Sequence, residues 1–109
     1  MSKVIKTNLF INNVNKLFKK YIKIKDDLSL FNSNFELESF SDLGKGFRKY
    51  RIKNSSIPTG KSGGFRLIIK ELNGNIIPIV IYSKTNRKNI GIGEIEQSYL
   101  LILNELKQG

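Results

Sequence analysis

The sequence predicts an α+β fold: a small antiparallel sheet laid out as strand, two helices, three-stranded meander and C-terminal helix. Three observations predict it. Apolar residues recur at helical spacings near both ends of the chain. Two β-type runs in the second half are joined by Asn73-Gly74, a two-residue hairpin signal. Between them and the first helices lies a stretch in which basic and apolar residues interleave.

Taken in order, Lys3–Asn8 carries Val4 and Ile5 and reads as a brief first strand. Phe10, Val14, Leu17, Phe18 and Tyr21 then follow a helical period, with Asn and Lys on the other face, predicting a helix over Leu9–Lys23. Asp26 and Asp27 supply a cap and first-turn negative charge for a second helix over Asp26–Asn34, with Leu28, Phe31 and Phe35 along its apolar side. Phe35–Leu43 reads as an acidic connection; Glu36 and Glu38 are an acid–base pair or, more simply, solvated loop carboxylates. Gly44 and Gly46 mark a turn into a strand over Phe47–Lys53, and Asn54–Gly64 is rich in turn formers. Phe65–Leu72 and Ile76–Ser83 are the next strands. The near-continuous apolar run of the latter suits a strand covered on both faces, and Pro78 belongs at a bulge or at its start. Lys84–Lys88 is a basic loop, and Glu94–Lys107 is a helix with Ile95, Tyr99, Ile102, Leu103 and Leu106 on its apolar stripe.

Composition narrows the function. The 109 residues suit one domain. Lys and Arg number 19 against 9 Asp and Glu, a net charge of +10, which favours phosphates or another anionic partner. The chain has no cysteine and no histidine, which removes disulfides, thiolate chemistry and the usual neutral-pH base and zinc ligand. The reading therefore carries no metal site and no cofactor. No apolar run approaches the roughly 18 residues of a membrane span, and the N-terminus lacks a leader's apolar region, so a cytoplasmic protein with no membrane partner is expected.

The charge is concentrated. Gly44–Lys70 holds Lys45, Arg48, Lys49, Arg51, Lys53, Lys61, Arg66 and Lys70, and no acid lies between Asp42 and Glu71. Such a stretch can pack as a sheet and still present a cationic, phosphate-binding face. Gly60-Lys61-Ser62 has the end of a P-loop but not its spacing, because Ser55 stands where the first glycine belongs. Plainer readings stand beside these. Arg48, Lys49 and Arg51 suit a charge-protected edge strand. Arg66, on a face it shares with Ile68, suits a salt bridge to Glu94 or Glu96. Lys61 suits a loop charge, and Tyr82 the core.

Gly46-Phe47-Arg48-Lys49-Tyr50-Arg51, then Gly60-Lys61-Ser62-Gly63-Gly64-Phe65-Arg66-Leu67-Ile68, then Ile81-Tyr82-Ser83-Lys84 resemble, in order and spacing, the RelE/ParE toxin superfamily of bacterial type II toxin–antitoxin systems, and within it the HigB-type branch. The resemblance spans nearly the whole chain. It implies a RelE-like fold and a ribosome-dependent endoribonuclease that cuts mRNA in the decoding site and so inhibits translation. It also implies a cognate antitoxin, expected as a helix-turn-helix protein with an acidic segment. By position, Arg66 matches the arginine that holds the scissile phosphate, Lys84 the basic residue after the last strand, and Arg48, Lys49 and Arg51 the strand that contacts RNA. Lys45, Lys61 and Arg87 add RNA-binding charge around them. One departure stands out: some relatives carry a tyrosine soon after the last strand, whereas Thr85–Gly93 has none, leaving Tyr82 or Tyr50 for that role.

The residues themselves suit metal-independent RNA cleavage, in which a 2′-hydroxyl attacks the adjacent phosphorus. Fixed Arg and Lys groups stabilise the charge that grows on the non-bridging oxygens, and Arg offers two-pronged phosphate contact. Without histidine, the proton-transfer groups are a tyrosine or a lysine crowded by cations, Lys84 or Lys49. Two other functions remain: a ParE-like inhibitor that binds DNA gyrase and cleaves nothing, and a non-enzymatic nucleic-acid-binding module.

Overall fold

The computed structural model of the protein describes residues 3–33, 41–57, 64–87 and 89–108, with the side chains of all but 31–33. The expectations for Phe31, Phe35, Glu36, Glu38 and Lys61 fall outside the described residues and side chains. In chain order the elements are β1 (Lys3–Val4), α1 (Asn8–Phe18), α2 (Ile24–Ser33), β2 (Ser41–Gly44), β3 (Phe47–Ile52), β4 (Phe65–Leu72), β5 (Asn75–Ser83) and α3 (Ile92–Gln108). The fold is α+β, as expected. The sheet has five strands in the order β1-β5-β4-β3-β2.

Two features differ from the expected sheet. β1 pairs in parallel with β5, Lys3 beside Asn75 and Val4 beside Ile76, so the sheet is mixed. The second is β2, an edge strand in what the sequence gives as a connection. It pairs antiparallel with β3 through a turn in which Gly44, Lys45 and Gly46 all have positive φ. The Gly44 N–H donates to the Asp42 carboxylate at 2.8 Å and helps set that turn. At the other hairpin, Asn73 and Gly74 have φ of 53° and 77°, the left-handed pair that the Asn-Gly signal predicts. Pro78 lies at a bulge: Ile68 pairs with Val80 and Ile69 with Pro78, leaving Ile79 as the extra residue.

α1 is capped by the Thr7 side chain, which accepts from the Phe10 N–H at 3.2 Å. The Glu105 carboxylate of α3 reaches the same terminus and accepts from the Asn8 and Leu9 N–H groups at 2.7 and 3.1 Å, satisfying donors that a helix leaves free. α1 ends at Phe18, short of the predicted Lys23, because the chain turns there to bury Tyr21 and Ile24. Asp27 is not a cap: it is buried and accepts from the Ser55 N–H and hydroxyl, tying α2 to the loop after β3.

The helices cover both faces of the sheet. α1 and α2 pack Phe10, Val14 and Ile24 against Tyr50, Ile52, Phe65, Leu67, Ile69 and Ile81. α3 packs Ile95 and Ile102 against Phe47, Ile68, Ile77, Ile79 and Tyr82. Side chains alternate across a strand. Every second residue of β3 and β4 therefore belongs to the α3 face and the rest to the α1/α2 face, and this sorts the basic residues.

Candidate nucleic-acid interface

β3 reads Phe47-Arg48-Lys49-Tyr50-Arg51-Ile52. Phe47 packs toward α3 and Tyr50 and Ile52 toward α1 and α2, so Lys49 and Arg51 emerge on the α3 face and Arg48 on the other. The register places Arg51 directly beside Arg66 of β4, and Arg66 directly beside Tyr82 of β5. Arg51, Arg66 and Tyr82 thus form one row across three strands, where directly opposed side chains stand roughly 5 Å apart at their β-carbons. Lys49 occupies the next row on the same face, paired with Ile68.

Burial within this row is uneven. Arg51 is exposed and Lys49 half-buried, but Arg66 is only 5% exposed and Tyr82 6%. The Arg66 guanidinium donates to the Phe65 carbonyl at 3.3 Å. Glu94 and Glu96, its expected salt-bridge partners, are engaged with Arg87 and Lys45 instead. Burial and the charge of Arg51 both lower the Arg66 pKa. The Tyr82 hydroxyl is buried with no hydrogen-bond partner among the described residues. Burial pushes its pKa up, against the pull of Arg66 and Arg87.

Lys49 is the group whose chemistry changes most usefully. Burial lowers its pKa, and the charges of Lys84, Arg66 and Arg51 lower it further. Each of these cations disfavours the Lys49 proton by like-charge repulsion. Lys84 follows β5, and its N–H donates to the Gly64 carbonyl at 2.9 Å, which ties the start of the basic turn to the start of β4. Arg87, further along, gives both terminal nitrogens to the Glu94 carboxylate, Nη1 to Oε2 at 2.9 Å, and its Nε to the Asn89 carbonyl at 3.0 Å.

Three expected members do not join the row. Arg48 faces the α1/α2 side, 3.4 Å from the Glu71 carboxylate, because a period of two separates it from its neighbours. Lys45 is in the β2–β3 turn at the far end of the strands, 3.1 Å from Glu96. Tyr50 is core on the α1/α2 face, its pKa pushed up to about 12 chiefly by burial, so Tyr82 is the tyrosine that stands with the arginines. Tyr99 lies edge-on to Phe47 at 5.5 Å, near the same far end.

The sequence reading missed the groups that hold the turn after β5. The Tyr21 hydroxyl shares a hydrogen bond with Thr85 at 3.3 Å and accepts from the Asn86 amide at 3.1 Å. The contact spans more than sixty residues of chain, so no local pattern signals it. A separate groove of about 580 Å³ runs between α1 and α3, lined by Leu9, Lys16, Lys19, Ile79, Leu101 and Ile102, and contains none of the cations of the row. Among the described residues, no helix is long and apolar enough to cross a membrane and no group of three acidic side chains is placed to hold a metal. No family model matches the chain, and no curated protein matches it.

Proposed function

We propose that the protein is the toxin of a type II toxin–antitoxin system, of the RelE/ParE superfamily and its HigB-type branch. In this reading it is a ribosome-dependent endoribonuclease that cleaves mRNA without a metal. The observation that carries the reading is the placement of Arg51 beside Arg66, itself beside Tyr82, with Lys49 in the adjoining row. Two like charges directly opposed on neighbouring strands destabilise a sheet. Crowded, perturbed basic groups of this kind cluster at functional sites.

The chemistry follows from those positions. Arg66 and Arg51 hold the non-bridging oxygens of one phosphodiester and stabilise the charge that builds there. Lys49, its pKa lowered, takes the proton of the 2′-hydroxyl as the 2′-oxygen bonds to phosphorus. The bond from phosphorus to the 5′-oxygen breaks, and that oxygen takes a proton from Tyr82 or Lys84. The products are a 2′,3′-cyclic phosphate and a 5′-hydroxyl. The ribosome supplies the alignment of the message, a contribution that in oriented reactions is worth several kcal/mol of barrier. Lys84 extends the RNA-binding charge, whereas Arg87 is neutralised by Glu94, and a cognate antitoxin with an acidic segment covers the cationic face when the toxin is silenced.

The test is direct. Purified protein is added to ribosomes translating a defined message, and the message ends are mapped. Cuts at fixed positions within codons, lost in a folded Arg66→Ala variant, are expected. An intact message together with stalled DNA gyrase moves the assignment to the gyrase-binding arm of the superfamily.

A further inference from the structure

The turn after β5 begins with Lys84, a cation of the proposed site, yet it is exposed along residues 85–87. Its backbone is closed by the Asn86 and Arg87 N–H groups, both donating to the Ser83 carbonyl at 3.1 and 3.0 Å. Its side chains are fastened from beneath. The Ser83 hydroxyl, fully buried, pairs with Thr85 at 2.7 Å. Thr85 in turn pairs with the Tyr21 hydroxyl, which also accepts from Asn86. Lys20 adds a donor to the Asn86 side-chain oxygen at 3.1 Å.

Tyr21 is a firm anchor for this network. It is 2% exposed, and its ring meets the Phe65 ring edge-on at 5.4 Å, one residue before Arg66. The hydroxyl therefore stands on the α1/α2 side of the sheet, while the row of cations stands on the α3 side. The turn wraps the end of β5 between the two.

We infer that Tyr21 is a positioning residue for Lys84: through Thr85 and Asn86 its hydroxyl holds the turn that Lys84 begins. The geometry stands by itself, and its catalytic purpose rests on the proposed function. The lowered pKa of Tyr21 agrees with the same contacts: burial raises it, but Ser83, Thr85 and Lys20 together outweigh burial.

The experiment uses Tyr21→Phe, which keeps the ring and its packing on Phe65 and removes only the hydroxyl. The full chain is labelled with ¹³C at the lysine ε-carbon, and Lys49 is followed through a pH titration in the original and Tyr21→Phe proteins. Ser56→Ala, which removes a hydrogen bond to the Lys23 N–H away from the turn, serves as the control. If Tyr21 positions Lys84, the Lys49 midpoint rises in Tyr21→Phe as a neighbouring cation is released, and Ser56→Ala leaves it in place. An unmoved midpoint in a folded Tyr21→Phe protein overturns the inference, as does an equal rise in Ser56→Ala. Message cleavage is measured in parallel, with a loss of about ten- to a hundredfold expected for Tyr21→Phe, the scale on which misplaced groups cost rate. A moved Lys49 midpoint without any cleavage by the original protein rejects the proposed function and keeps the positioning role. Cleavage with an unmoved midpoint does the reverse.

Discussion

Gly64 passes so close to Ile52 that a β-carbon on it would lie 2.3 Å from the Ile52 carbonyl oxygen. The obstruction is backbone, which has no flexible end to swing aside, and the Asn54 nitrogen closes in at 3.2 Å. The same glycine's carbonyl receives the Lys84 N–H. Glycine at this position therefore joins the end of β3, the start of β4 and the turn after β5 within two residues of Arg66. Gly64→Ala is expected to lower stability by about 3 kcal/mol, at the upper end for single substitutions. Urea unfolding measures it, and a loss under 1 kcal/mol shows that the strands separate here without penalty.

A second expectation concerns Lys49 and pH. Its folded-state pKa is lowered, so the unfolded chain holds this proton more tightly. The charged form is then a cost to the fold at every pH below the folded pKa. Stability rises as pH climbs from the folded pKa toward the unfolded one, where the cost has gone. Lys49→Met keeps the side chain's length and removes the charge. It is expected to stabilise the protein at pH 7 by roughly 0.5–2 kcal/mol, the range for relieving a costly functional group, and to abolish message cleavage. Thermal unfolding across a pH series checks the sign: the advantage of the variant shrinks as pH rises toward the ordinary lysine value of 10.5 and is gone above it. A variant that is less stable at neutral pH contradicts the crowding of cations around this lysine.

Much of this arrangement was legible in the residues. The Asn73-Gly74 hairpin and the burial of Ile95 and Ile102 on α3 follow from local chemistry, and Pro78 takes the bulge, one of its two expected places, but Leu106, on the same expected stripe, is exposed. β2 was not legible, because Ser-Asp-Leu-Gly carries no alternation and its pairing depends on a turn with three positive φ angles. The end of α1 was not legible either, since Tyr21 fits a helical period and leaves it for partners more than sixty residues away. The basic strand lies between these cases. Its alternation was present in the sequence, but only the packing of Phe47, Tyr50 and Ile52 says which face each cation takes.

That division makes Arg48 and Arg51 a matched pair for a third prediction. They are three residues apart in sequence and carry equal charge, yet they stand on opposite faces. Binding to a short single-stranded RNA is measured against salt concentration. Each phosphate contact contributes about 0.7 to the slope of log affinity against log salt for single strands. Arg51→Ala is expected to reduce the slope by about that amount, and Arg48→Ala to leave it unchanged. Equal losses from the two variants indicate binding by the overall charge of +10 and not by a face.

Tyr82 supports the last prediction. A buried hydroxyl without a hydrogen-bond partner costs about 1–3 kcal/mol of lost hydration. Here the Tyr82 hydroxyl is buried, on a residue of the α3-side core that stands opposite Arg66, with no partner among the described residues. Removing it keeps the ring and the packing, so Tyr82→Phe is expected to leave the protein as stable as before or more stable by about 1 kcal/mol. In the reading proposed here the hydroxyl finds its partner only when a phosphodiester sits on Arg66, so the same variant loses cleavage. A variant that unfolds more easily means that the hydroxyl already has an internal partner and is not held for a ligand. A stable variant that cleaves normally moves the final proton transfer to Lys84, whose Lys84→Met variant then loses the activity that Tyr82→Phe retains.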